Sequence, residues 1–196
     1  MVTTKIERFE DYKITNAHIR FYDEETKELG ESQALGCTGT LTVETELRNV
    51  QKTCGGEVIA EVTKATKLNG TVSAHVKPSV AIEVLGLTND GLAKGVYGYA
   101  GKKTARGVIT FDVLDMYEEQ KKLLAFPQVA FTNGLTLNIE SGQDEIAMME
   151  MSYSGLRDEN NYFYYQAFVD DLESEDLAEK WHKEFEPKLV SATPVV

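Results

Sequence analysis

The residues best suited to acid–base or metal chemistry are three histidines, His18, His75 and His182. Imidazole titrates closest to neutral pH and is a common metal ligand, so these positions are the first candidates for a site. No two of them have helical or hairpin ligand spacing, and no serine occupies a G-x-S-x-G elbow. The sequence therefore predicts surface or structural histidines, with no catalytic residue and no metal ligand.

A glycine-rich segment, Gly95 to Lys103, has the composition of a phosphate-binding loop. It does not fit that loop, because Gly95 stands one residue too early and Lys103 occupies the place of the magnesium-binding Ser or Thr. Two acidic runs, at 23–25 and 170–171, do not follow the spacing of a calcium loop and are interpreted as solvated turns. We expect no cofactor, and interpret the glycine-rich segment as a flexible connection or as a contact loop between subunits.

Negative charge is concentrated in one part of the chain. The formal net charge is −12, and residues 140–186 contain 14 acidic residues against three basic ones. Proteins that grip duplex DNA gain their affinity from clustered Lys and Arg, so this composition argues against that class. A surface that repels DNA is compatible with it.

Three further features bear on location and redox chemistry. No apolar run approaches the roughly 20 residues of a membrane helix, and the first ten residues lack the apolar stretch of a signal peptide. We therefore expect a chain made in a cytoplasm, without a membrane partner. Cys37 and Cys54 are predicted to be reduced thiols, with a disulfide between adjacent strands as the alternative.

Most of the chain alternates with a period of two, which is typical of half-buried strands joined by turns. The polar stretch Leu47 to Gly56 is interpreted as a long hairpin loop, and residues 68–70 as a turn. The predicted strands are Ile19 to Phe21, Thr38 to Glu46, Glu57 to Thr66, Thr71 to Val76, Val108 to Leu114, Leu123 to Phe131, Leu135 to Ile139, Ile146 to Tyr153 and Tyr162 to Val169.

Two helices interrupt this pattern. Pro78 suits a first helical turn and Gly86 a stop, so a short helix is expected from Pro78 to Leu85. An acidic helix is expected over 173–185, with Ser174 as its cap, followed by a loose tail over 188–196. The predicted fold is mainly β, an antiparallel β-sandwich or barrel with one short internal α-helix and a C-terminal helix. It forms one domain over 1–196, with a β core at 17–170 and an acidic helix and tail at 171–196.

The densest aromatic cluster is Tyr162, Phe163, Tyr164, Tyr165 and Phe168. Its acidic flanks lack the Lys and Arg of a nucleic-acid platform, so core on one face and a protein interface on the other is the favoured interpretation. The exposed strand edges of such a fold invite pairing with other chains, which favours self-assembly.

The order of these elements resembles the major tail proteins, or tail-tube proteins, of long-tailed bacteriophages of Gram-positive bacteria. The resemblance lies in Gly39-Thr-Leu-Thr-Val-Glu-Thr-Glu, the polar loop to Gly56, the strands 57–66 and 71–76, the helix from Pro78, and the later Val-Ile-Thr-Phe-Asp-Val-Leu and Phe-Pro-Gln-Val-Ala-Phe strands. It implies hexameric rings that stack into the hollow tail tube of the virion, assembled in the host cytoplasm. The resemblance gives no counterpart for the acidic C-terminal helix.

The resemblance also implies roles for particular residues and partners. The loop reaching the neighbouring ring would contain Leu47, Arg48, Asn49, Gln51, Lys52 and Thr53. Partners would be other copies of the chain, further tail proteins such as a tape measure and a tail terminator, and DNA in transient, non-specific passage. Candidate acids for the lumen or an interface are Glu140, Asp144, Glu145 and Glu150, because carboxylates would repel passing phosphates.

Two other functions are compatible with the sequence. One is a monomeric β-sandwich module that binds carbohydrate or protein through the aromatic cluster. The other is the tube protein of a contractile injection or secretion system. An enzyme is not predicted.

Overall fold

A computed structural model of the chain describes residues 6–23, 25–137, 139, 142 and 146–191. Strands dominate it, as predicted, and the strands pair antiparallel throughout. The elements are β1 (Lys13–Phe21), β2 (Gln33–Ala34), β3 (Gly36–Cys54), β4 (Glu57–Val76), α1 (Pro78–Val84), β5 (Leu87–Thr88), β6 (Gly98–Tyr99), β7 (Arg106–Leu114), β8 (Lys121–Phe131), β9 (Met149–Gly155), β10 (Tyr165–Phe168), α2 (Glu175–Glu184), and two 3-10 turns at Val169–Asp171 and Pro187–Val190.

The main sheet has the strand order β2-β1-β7-β8-β9-β4-β3, with β10 paired to β8. The first and last strands of this order, β2 and β3, are separated along the chain only by Leu35. That residue is fully buried, and its amide donates to the carbonyl of Ala17 in β1 at 2.8 Å. The two ends of the sheet are thus covalently continuous, which curls it around one core. The predicted sandwich or barrel with short helices is confirmed.

One face of the curled sheet encloses the main hydrophobic core. Ile109 and Phe111 of β7 meet Phe126 of β8 there, and α1 contributes Val80 and Val84. Tyr153 of β9 lies across Gly70 of β4, where a Cβ atom would come within 2.2 Å of the Tyr153 ring. Glycine at position 70 is therefore required by packing.

The other face of β7 and β8 is covered by α2. Trp181 and Phe185 pack against Val108, Leu123 and Ala125, and we call this group the α2 cluster. The Trp181 indole donates to the Leu124 carbonyl at 3.0 Å. Because both faces of β8 are covered, residues 123–126 are apolar at successive positions. In β7 the face that α2 covers carries Thr110 and Asp112, which are polar and buried. The predicted Ser174 cap is confirmed, since its side chain accepts from the Asp176 amide at 3.2 Å.

The prediction of a long hairpin loop over Leu47 to Gly56 is wrong, because most of these residues are in a strand. Leu47 to Cys54 continue β3 and remain paired with β4, and the turn consists only of Gly55 and Gly56. Their φ angles of +61° and +87° suit a tight two-residue turn that glycine adopts without strain. Two strands of 19 and 20 residues replace a shorter pair joined by a loop.

Other boundaries also differ from the predictions. Residues 68–70 are not a turn, because β4 continues through them while paired with β3 on one side and β9 on the other. Leu135, Leu137 and Ile139 are not in a strand, and β9 begins at Met149 and β10 at Tyr165. The expected loose tail begins instead with the 3-10 turn at Pro187–Val190, whose Val190 packs against the α2 cluster. Residues 192–196 lie outside the described residues.

None of the helices in the described ranges is long and apolar enough to cross a membrane.

Candidate assembly surface

The outer halves of β3 and β4 project from the barrel as a two-stranded ribbon, which we call the arm and define as residues 47–65. Every arm residue except Ala65 is exposed, although the register runs unbroken from Leu47 opposite Ala65 to Lys52 opposite Ala60. The inner half of β4 beyond it, from Leu68 to Ala74, alternates buried and less buried positions as a barrel strand does. The arm is therefore a paired structure without a core of its own.

Apolar side chains lie on this arm without cover. Five of them are between 50 and 60% exposed, namely Leu47, Val50, Val58, Ile59 and Val62. An isolated two-stranded ribbon is marginally stable in water, and exposed apolar side chains in one region mark an interaction surface. The arm therefore has the composition of an interaction surface.

The outer edge of β3 is a second feature open to pairing. Within the described residues β3 pairs only with β4, because it is the last strand of the sheet order. An unpaired edge presents backbone donors and acceptors to any strand that approaches it. The arm and this edge are continuous, since both belong to β3.

All six residues predicted for the inter-ring loop lie on the arm and are exposed. They do not share one surface, because successive residues of a strand point to opposite faces. Arg48 and Lys52 are on one face, and Leu47, Asn49 and Gln51 on the other. Their contact with a neighbouring ring remains a prediction.

Of the four predicted lumen or interface acids, the structure describes one. Glu150 is exposed on β9, opposite Ser73 of β4. Glu140, Asp144 and Glu145 lie outside the described residues. Whether Glu150 faces a lumen stays a prediction.

The aromatic run at 162–168 is not brought together as one surface. Phe163 and Tyr164 pack against the main core, whereas Tyr165 packs against the α2 cluster. Burial, together with a hydrogen bond to Asp158, raises the pKa of Tyr165 to about 12, so its phenol stays a donor. Of this run, Tyr162 alone is largely exposed, and the row of open rings needed by a carbohydrate-binding module is not formed.

Two of the three histidines do meet, at the contact between β1 and α2. The rings of His18 and His182 are 5.1 Å apart, and His182 is buried. Its Nδ1 lies 2.8 Å from the Thr110 hydroxyl and its Nε2 lies 2.7 Å from an Asp112 carboxylate oxygen. Sequence reasoning missed these partners, whose only signal is a polar residue at each of two outward positions of an otherwise apolar strand.

This Thr–His–Asp arrangement has the connectivity of a hydrolytic triad, but Thr110 is 2% exposed and no substrate reaches its hydroxyl. Its physical effect is to hold α2 on the sheet. Burial alone would raise the pKa of Asp112, but hydrogen bonds and charge from His182 and from Lys121 outweigh it and hold that pKa below its usual range. Asn16 donates to the second carboxylate oxygen at 3.2 Å.

The remaining sequence candidates are separated. His75 is exposed on β4 opposite Cys37, while Cys54 lies at the far end of β3, and both thiols are free. The alternative of a disulfide between them on adjacent strands is therefore wrong for this fold. Lys103 of the glycine-rich segment pairs with Glu83 of α1 at 2.9 Å. Over the described ranges, no group of three or more His, Cys, Asp or Glu residues is placed to hold a metal ion.

Comparison with known proteins gives little that bears on this geometry. No protein-family model matches the chain, and no curated protein sequence matches it significantly. Among solved structures, the chain is similar to one in the cryo-EM structure of the anti-feeding prophage (AFP) baseplate, 6-fold symmetrised. The TM-score is 0.38 with 9% sequence identity, over 85% of this chain and 97% of the other. A TM-score of this size carries no weight for fold or function.

Proposed function

We propose that this chain is a structural subunit that self-assembles into stacked hexameric rings, forming a phage tail tube through which DNA is ejected. The observation that carries the proposal is the exposed arm. Its two strands pair with each other, but its apolar side chains are exposed to solvent in a single copy. The open edge of β3 supports it, because closing a ring of sheets would pair such edges. The order of elements in the sequence, which resembles that of tail-tube proteins, supports the choice of stacked rings as the assembly.

The proposal assigns different tasks to different parts of the fold. The β3 edge would join sheets around a ring, and the arm would reach into the next ring. Tape-measure and terminator proteins would be further partners. The role is one of assembly, and the buried Thr110–His182–Asp112 arrangement fits that role because it fixes α2 rather than opening to solvent.

Removal of the arm tests the proposal directly. In the variant, residues 47–65 are replaced by an Asn-Gly turn. We expect the full-length chain at high concentration to form rings or tubes in negative-stain micrographs, and the armless variant to remain monomeric by light scattering. The variant should keep its thermal unfolding midpoint, because the arm contributes no residue to the core. Tubes formed by a folded armless chain would contradict the proposal, as would a wild-type chain that stays monomeric.

The proposed conduit also requires a surface that does not hold DNA. Carboxylates along the lumen, including Glu150, would repel phosphates and lower the friction of passage. Particles assembled with lysine at 140, 144, 145 and 150 should keep intact tubes and eject DNA more slowly. An unchanged rate of DNA ejection through intact tubes of this variant would contradict the placement of these acids in the lumen.

A further inference from the structure

The arm has two chemically different faces, as its regular register shows. One face, which we call the cationic face, carries Arg48, Val50 and Lys52 on β3 and Ala60, Val62 and Lys64 on β4. It holds three cations around a directly opposed valine pair, and it has no acidic residue.

The opposite face is neutral to acidic and forms its own polar contacts. Its residues are Leu47, Asn49, Gln51, Glu61, Thr63 and Ala65. The Thr63 hydroxyl donates to the Asn49 side-chain oxygen at 2.7 Å across the strands. This bond confirms that the two residues share a face, and it leaves that face less dependent on an external partner.

The cationic face contains an unfavourable arrangement in a single copy. Arg48 and Lys64 are directly opposite each other, and like charges in that position destabilise an antiparallel pair. None of the described residues forms an ion pair with Arg48, Lys52 or Lys64. An anionic surface laid over this face would relieve the repulsion and supply the missing counter-charge.

We propose that the cationic face of the arm docks on an acidic, partly apolar surface of a second copy of this chain. The inference rests on the proposed function and names the chemistry of the arm's contact. Charge complementarity identifies the occupant: the arm carries three cations against two anions, whereas the whole chain has a net charge of −12. DNA phosphates would neutralise the cations but would leave Val50 and Val62 uncovered, so a protein surface is the better match.

Two variants with equal charge change test the inference. The first removes three positive charges from the cationic face, as Arg48→Gln, Lys52→Gln and Lys64→Gln. The control removes three positive charges from exposed positions outside the arm, as Lys77→Gln, Lys94→Gln and Lys102→Gln. Both change the net charge equally, and both leave the core untouched, so equal unfolding midpoints confirm that each is folded.

Sedimentation velocity gives the concentration at which each protein assembles. We expect the first variant to assemble only at about tenfold higher concentration than the wild type. The control should assemble at a concentration close to that of the wild type. Raising salt from about 50 to 500 mM should weaken wild-type assembly, because salt screens the three cations of the arm. Assembly of the first variant should change little, because it lacks those cations. Assembly of the first variant at the wild-type concentration overturns the inference, and so does an equal loss in the control, because net charge alone would then be responsible.

The armless variant separates this inference from the proposed function. If the armless chain is monomeric while the glutamine variant assembles normally, the proposed function stands and the cationic face is not the contact. If the armless chain assembles, both proposals fail. Fluorescence anisotropy with a short DNA duplex completes the test: tight wild-type binding that is lost in the glutamine variant, without loss of assembly, would identify phosphate as the partner and overturn docking on a second copy.

Discussion

Two strand pairs of this molecule have the same antiparallel hydrogen bonding and opposite surroundings. In β7 and β8 most residues are buried, because the barrel interior covers one face and α2 the other. In the arm nearly every residue is exposed on both faces. The contrast teaches that ladder hydrogen bonds do not distinguish a stable sheet from an unfinished one. The difference is that packed side chains cover both faces of β7 and β8, whereas no part of the same chain covers the faces of the arm within the described residues.

Truncation of a core residue in β7 should give the largest effect on stability. Phe111 is fully buried against Phe126, so Phe111→Ala should lower the free energy of unfolding by about 3–5 kcal/mol. The matched control is Val62→Ala on the arm, half exposed in the single chain, which should change it by less than about 0.5 kcal/mol. Chemical denaturation of both variants checks the pair. A loss of similar size at Val62 would mean that the arm is stabilised within one copy.

Removal of the buried charge beneath α2 should have a smaller, pH-dependent effect. Asp112→Asn weakens the contacts to His182 and Lys121 and should lower the free energy of unfolding at neutral pH by about 1–3 kcal/mol.

The sign of the pH dependence follows from the lowered pKa of Asp112. A carboxyl whose pKa is lower in the folded than in the unfolded chain stabilises fully above its unfolded value, about 3.9, and loses that contribution as pH falls through the folded value. The difference between wild type and Asp112→Asn should therefore be constant near neutral pH and close below about pH 4. Urea unfolding across that range measures it, and a gap that widens in acid would show that the carboxylate is not the stabilising form.

Short-range signals in the sequence predicted much of the fold. Pro78 begins α1 and Ser174 caps α2, because each acts on backbone groups within its own first helical turn. The pattern of β7 and β8 likewise predicts strands there. The hairpin turn is predicted less well, because the loop expected over Leu47 to Gly56 is reduced to Gly55 and Gly56. For the arm residues of β3, the resemblance alone implies a contact element, and the residue pattern predicts a loop.

What the tertiary structure decided depends on partners distant in sequence. Asn69 and Gly70 have turn chemistry, but their backbone groups are taken up by β3 on one side and β9 on the other, so β4 passes straight through them. Asp112 and His182 are 70 residues apart, and only the docking of α2 on β7 brings them within 2.7 Å. The two faces of the arm appear only once the register of β3 on β4 is known, because a shift of one residue in β3 would move its cations to the opposite face. Local spacing therefore determined where both helices and most strands form, whereas long-range pairing determined how far β3 and β4 extend and which side chains share a surface.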